Sequence, residues 1–146
     1  PWAYIIEPFE TKAIENLIKH GILIKKTVQN IELEVENYKI HSIQTDSILN
    51  QGHTLLYPKG EYQTVTRIIP KGSYIIPVNQ LFGRIAAILL EPFSDESLFT
   101  WNFFNSKAVK QWGDNTPNHY PVYRIIKPVS IPGFIINSNE IKREKN

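Results

Sequence analysis

The sequence predicts a mainly β domain, a β-sandwich or jelly-roll-like body decorated with two or three short helices. Three observations carry this expectation. Ile31, Leu33 and Val35 alternate with Glu32, Glu34 and Glu36, the two-residue period of a strand with one wet face. Pro-Lys-Gly triplets at Pro58 to Gly60 and Pro70 to Gly72 bracket the β-type run Tyr62 to Ile69. Helical spacing, by contrast, appears only in brief stretches.

Size and composition set the outer bounds. A chain of 146 residues is long enough for one hydrophobic core but not two, so a single domain over 1–136 is expected, with a polar, frayed tail over 137–146. Hydrophobic residues at 42% and charged residues at 21% place it among folded rather than disordered chains. A formal net charge of +2 is too balanced to draw nucleic acid or anionic lipid by a broad field. With no cysteine there is neither a disulfide framework nor a thiolate zinc site, and thiol usage says nothing about compartment. The longest apolar stretches, such as Ile85 to Leu90, fall far short of the ~18 to 20 residues that cross a bilayer. The chain opens at Pro1-Trp2 and contains no methionine, so a start codon, any signal peptide and any preceding domain are expected upstream.

Taken in order, Trp2 to Ile6 reads as a short buried strand closed by Pro8. A helix follows, capped by Thr11, with Ile14, Leu17 and Ile18 on one face and Gly21 as its left-handed stop. Ile22 to Ile24 and Ile31 to Val35 read as strands. After Val35 the apolar phase slips to Tyr38 and Ile40, which predicts a bulge near Asn37. The Pro70 to Gly72 turn leads into Ser73 to Pro77, a strand expected to neighbour Tyr62 to Ile69. Leu81, Phe82, Ile85, Ala86 and Leu89 fit a short amphipathic helix, although Ile85 to Leu90 would also suit a fully buried strand. Ser94 to Ser97 supplies N-cap chemistry for an aromatic helical turn through Leu98, Trp101 and Phe104. Pro121 to Ile126 and Ile131 to Ile136 complete the strands.

Chemistry is harder to find. None of His20, His41, His53 and His119 has a carboxylate or second histidine three or four residues on, so the local spacing of a zinc site is missing. His20 reads as a cation at a helix C-terminus and the other three as loop residues. No Gly-x-Ser-x-Gly elbow or phosphate-cradling glycine loop occurs. Asp95 and Glu96 read as first-turn capping groups, and Glu32, Glu34 and Glu36 as a solvated strand face. Phe99, Trp101, Phe103 and Phe104 form the one cluster that invites a binding reading, although such large apolar areas serve core or interface more often than ligand platforms.

Several of these segments together resemble the region following the catalytic domain in bacterial zinc carboxypeptidase-like metallopeptidases of the carboxypeptidase A superfamily. The pieces are Ala3-Tyr4-Ile5-Ile6; Leu17, His20, Gly21 and Ile22; Leu33-Glu34-Val35-Glu36 with Tyr38 and Ile40; Pro70, Gly72 and Tyr74 with Gln80; and Leu89-Leu90-Glu91-Pro92. Asp95, Ser97, Leu98 and Trp101-Asn102-Phe103-Phe104, then Tyr120 to Arg124, continue the pattern in the same order. The resemblance implies a non-catalytic accessory domain that packs on and supports an N-terminal peptidase domain of the same chain. It implies an exported parent that holds zinc, with no zinc ligand or general base carried by this segment. Trp101, Asn102, Phe103 and Phe104 are then the candidate docking or ligand surface. A carbohydrate- or cell-wall-binding module is the alternative, and a third reading has His53, His119, Asp114 and Arg124 converging in an independent enzyme.

Overall fold

The computed structural model describes residues 1–45, 55–104 and 118–137. Seven strands and two helices follow one another as β1 (Ala3–Ile6), α1 (Thr11–Lys19), β2 (Lys25–Thr27), β3 (Ile31–Thr45), β4 (Leu56–Ile69), β5 (Tyr74–Pro77), α2 (Gly83–Leu90), β6 (Asn118–Ile125) and β7 (Gly133–Ile135). The mainly β class with two short helices is therefore as expected. All strands join one antiparallel sheet in the order β4-β3-β6-β1-β5-β2-β7.

The sheet has a core on each face. Tyr4, Ile6, Tyr38, Tyr74, Ile76, Tyr120 and Val122 point to one side, where α1 contributes Ala13, Ile14 and Leu17 and α2 contributes Ala86, Leu89 and Leu90. Ala3, Ile5, Leu33, Val35, Ile69, Ile75, Tyr123 and Ile125 point to the other, joined by Ile131 from the chain after β6. Burying a large aliphatic side chain is worth about 1.5–3 kcal/mol. The two-residue period of β1 thus feeds both cores, and every residue from Ala3 to Ile6 is buried.

Several sequence expectations are corrected by local hydrogen bonding. Ile22 to Ile24 is not a strand: the Ile22 N–H returns to the Leu17 carbonyl, and Leu23 is held at both backbone groups by the Gln80 side chain. A side-chain amide has replaced the ladder at Leu23; the Ile24 carbonyl accepts the Ile136 N–H, and the strand itself begins at Lys25. Thr11 is the first helical residue rather than the cap; Glu10 occupies the cap position without a side-chain capping bond. Gly21, at φ 79, is the left-handed stop the sequence indicated.

Pro58 to Gly60 is not a turn but part of β4, which runs straight through it. β4 is an edge strand, where a proline lacking its N–H is tolerated. Gly60 is needed because a Cβ there would overlap the Lys39 carbonyl oxygen. The register with β4 then shifts between Ile40 and Ser42, and the register with β6 shifts between Asn37 and Lys39, close to the bulge expected at Asn37. The Pro70 to Gly72 turn is as expected, with Gly72 at φ 86. It does not, however, make β5 a neighbour of β4: β5 lies between β1 and β2. The last strand is narrower than Ile131 to Ile136, covering Gly133–Ile135 alone.

Candidate functional site

The segment after α2 positions the aromatic cluster. It forms successive turns instead of the expected helical turn, because Ser97 Oγ accepts the Phe99 N–H and the Leu98 N–H is taken by the Leu89 carbonyl. Asn102 follows in the left-handed region at φ 67, a conformation asparagine tolerates better than most residues. Asp95 and Glu96 accordingly cap no helix; the Asp95 carbonyl instead accepts the Trp101 indole N–H at 3.0 Å.

Trp101, Asn102, Phe103 and Phe104 are all partly buried. Phe103 and Phe104 pack against the helix-side core, and the Lys12 ammonium lies 5.3 Å from the Phe103 ring centre. Trp101 and Phe103 also wall an open cleft of about 380 Å³, floored by Leu89 and Leu98 and rimmed by Asn16, His20 and Glu96. His20 Nδ1 is engaged with the Asn16 carbonyl at 2.9 Å, which fits its expected place at the end of α1. The structure therefore gathers Trp101 and Phe103 at one cleft and leaves Phe104 as an outer part of the core.

A second constellation escaped the sequence reading. Glu36, Arg124 and Tyr4 stand opposite one another on β3, β6 and β1. Glu91, at the end of α2, reaches down onto this row and accepts the Tyr4 hydroxyl at 2.8 Å and the Tyr62 hydroxyl at 2.7 Å. The Arg124 guanidinium donates to Glu91 at 3.3 Å and, through Nη2, to Glu36 at 2.7 Å. It also lies 3.5 Å from the Tyr62 ring centre. Glu36 is consequently not the solvated strand residue that its alternation with Glu32 and Glu34 suggested.

Burial and these contacts shift the arginine and the two phenols of the hub. Burial alone would lower the Arg124 pKa, but Glu36, Tyr62 and Glu91 outweigh it and hold the value above that of an ordinary guanidinium. Burial first, then the hydrogen bond to Glu91, pushes Tyr4 and Tyr62 far above an ordinary phenol. Two neutral phenols and a guanidinium thus converge on a carboxylate, a satisfied network that anchors α2 to the sheet. Beside it Tyr120, raised mainly by burial, donates to the Leu90 carbonyl at 2.7 Å.

The signal for this hub was a tyrosine in an otherwise apolar strand, since a buried hydroxyl needs a partner. The single carboxylate ending the apolar run Ile85 to Leu90 was the other half of that signal.

Unlike His20, His41 and His119 do not lie on loops as expected. His41 sits in β3, 3.4 Å from Glu61, and His119 sits in β6, where Asn37 Nδ2 is 2.6 Å from its Nδ1. His53 and Asp114, which the convergent-enzyme reading paired with His119 and Arg124, lie outside the described residues. Arg124 is engaged in the hub. Among the described residues no three His, Asp or Glu side chains gather as a metal site. No described helix is long and apolar enough to cross a membrane.

The outer face of α2 supplies a third feature. Its inner residues Gly83, Ala86, Leu89 and Leu90 are buried, whereas Phe82, Ile85 and Ile88 recur three apart on the exposed side. Leu81 beside them is 90% exposed. Phe82 lies against Gly21, and Leu23, tied to Gln80, is also exposed. The chain matches no protein-family model, no curated protein and no solved structure.

Proposed function

We propose that this is a non-catalytic accessory domain of a zinc carboxypeptidase-like metallopeptidase, docked on and supporting a catalytic domain N-terminal to Pro1. One observation carries the reading: α2 turns a row of large apolar residues, Leu81, Phe82, Ile85 and Ile88, outward while the Glu91 hub fixes the helix on the sheet. Scattered exposed apolar residues are ordinary, but a contiguous row on a rigid helix is the pattern of a surface that is covered in use. The motif resemblance assigns the covering partner, and with it zinc and export to the parent enzyme. Partly buried Trp101 and Phe103 would contribute aromatic anchors to the same interface.

The test begins with the coding sequence upstream of Pro1, which should specify zinc ligands and a general-base carboxylate. That upstream domain, produced separately, should bind this one in calorimetry. A variant carrying Ile85→Asp and Ile88→Asp should keep its fold by circular dichroism, because both side chains face away from the core, yet lose binding by tenfold or more. Upstream residues without a zinc peptidase pattern, or undiminished binding by the variant, would sink the reading.

A second reading draws on the cleft between Trp101 and Phe103, where aromatic walls meet the Glu96 carboxylate and the His20 ring. That combination suits a sugar ring, as in a carbohydrate- or cell-wall-binding module. Heat on titrating a glycan panel, abolished by Trp101→Ala, would favour it; no heat for any glycan would remove it.

A further inference from the structure

The partnership of β3 with β6 ends early. β4 accompanies β3 on one side from Thr45 down to Ile31, but on the other side the pairing with β6 stops at Glu36 opposite Arg124. β6 itself ends at Ile125. Antiparallel register would next set Glu34 against Ile126 and Glu32 against Pro128. Pro128 has no N–H to give, so the ladder cannot close there. Over Ile31–Val35 every second residue therefore aims its N–H and C=O into the gap, and among the described residues no hydrogen bond meets them.

A cleft of about 450 Å³ occupies this place, in the range of ~300 to 1,000 Å³ common for ligand sites. Its lining draws on both faces of β3, with Thr64 of β4 added beside Glu36. Leu33 and Val35, which point to the inner core, line it together with Glu34 and Glu36, which point the opposite way. Consecutive residues from Arg124 to Val129 form the other wall. Ile126 and Val129 on that wall are exposed apolar side chains.

We propose that this cleft takes an extended peptide segment, which adds as a strand to the free edge of β3. Five residues of β3 present about 16 Å of edge at the rise of a strand, enough for five or six peptide residues. Alternate side chains of the incoming segment would lie alongside the buried row of Leu33 and Val35 on one face and meet Glu34 and Glu36 on the other, with the exposed apolar Ile126 and Val129 on the opposite wall. Glu36 is already neutralised by Arg124, whereas exposed Glu34 has no ion-pair partner among the described residues. The preferred segment is therefore apolar at one set of alternate positions and basic at the other. Backbone hydrogen bonds supply affinity and the alternation supplies register, as in other strand-addition complexes. This site is separate from the α2 face and does not rest on the accessory-domain reading.

The probe is a fluorescein-labelled Val-Lys-Val-Lys-Val-Lys peptide, followed by anisotropy with the whole chain. Binding with a Kd below ~1 mM is expected, weakened at least tenfold when Val and Lys are regrouped into blocks. Two further peptides carry N-methyl groups on alternate amides, one on the Val set and one on the Lys set; at least one should lose tenfold or more, because its donors face β3. Amide NMR shifts on binding should centre on residues 31–36 and 125–129. Absence of binding, equal binding of the blocked peptide, indifference to both methylated versions, or shifts centred on other residues would each overturn the proposal. Slow hydrogen exchange along both edges of Ile31–Val35 before any peptide is added would do so too, since the edge would then already be paired.

Discussion

Replacing Glu91 with alanine is the sharpest test of how α2 is held to the sheet. The change removes the acceptor shared by Tyr4, Tyr62 and Arg124 at 2.8, 2.7 and 3.3 Å. A hydrogen bond to a charged group contributes about 1.5–3 kcal/mol, and breaking a fully buried ion pair costs roughly 3–5 kcal/mol. Both partners of the Arg124–Glu91 pair are 20% exposed, and Arg124 keeps Glu36, so water and the second carboxylate offset part of the loss. The balance is a destabilisation of about 3 kcal/mol. Glu91→Gln retains one carbonyl oxygen for one phenol and should cost less, about 1–2 kcal/mol. Urea denaturation followed by tryptophan fluorescence measures both, with the midpoint falling and the slope unchanged. Combining Glu91→Gln with Tyr62→Phe should be non-additive by at least about 0.5 kcal/mol, since the two groups touch. A Glu91→Ala protein within about 1 kcal/mol of the unaltered chain would refute the view that this carboxylate anchors α2.

Two further predictions concern β3. His119 is held below its ordinary value of 6.5, first by burial and then by Arg67 and Lys39, so the unfolded chain takes up its proton before the folded one does. Its contribution is therefore full above pH 6.5 and declines as pH drops through the folded value; urea midpoints should fall between pH 7.5 and 5.5, and His119→Asn should flatten that slope. Gly60→Ala forces a methyl into the Lys39 carbonyl and must open the β3–β4 ladder beside its register shift, costing about 2–3 kcal/mol in the same assay, whereas a loss under about 0.5 kcal/mol would mean the strands accommodate it.

What could be read from residue order was whatever depends on near neighbours. The left-handed stop at Gly21, the turn ending at Gly72, the buried face of α1 and the phase slip near Asn37 all express local geometry, whereas of the apolar positions expected to share a face of α2 only Ala86 and Leu89 are buried, and Leu81, Phe82 and Ile85 face outward. Misreadings arose where a distant group intervened. Gln80 satisfies the backbone of Leu23 from 57 residues away, so an apolar triplet of strand character stays outside the ladder except at Ile24, whose carbonyl accepts the Ile136 N–H. Arg124 neutralises Glu36 across 88 residues and turns a member of a regular acidic face into half of an ion pair. Pro58 and Gly60 look like turn residues because their types are common in turns, yet an edge position and a close carbonyl explain them equally well. For the candidate site, the aromatic segment was recognised from its density, but its meeting with His20 and Glu96 at one cleft depends on α1 folding back beside it.

The order of strands also governs how the molecule can be made. β1, only four residues long, is flanked by β5 and β6, so the first strand of this sheet in chain order is completed by a partner more than a hundred residues later. Until Val122 to Ile125 emerge, one edge of Ala3 to Ile6 stays open and both cores lack a wall. Such distant pairing must overcome loop-closure entropy before contacts repay it, which places the chain among slow folders and makes synthesis of the C-terminal strands the event that commits the whole sheet.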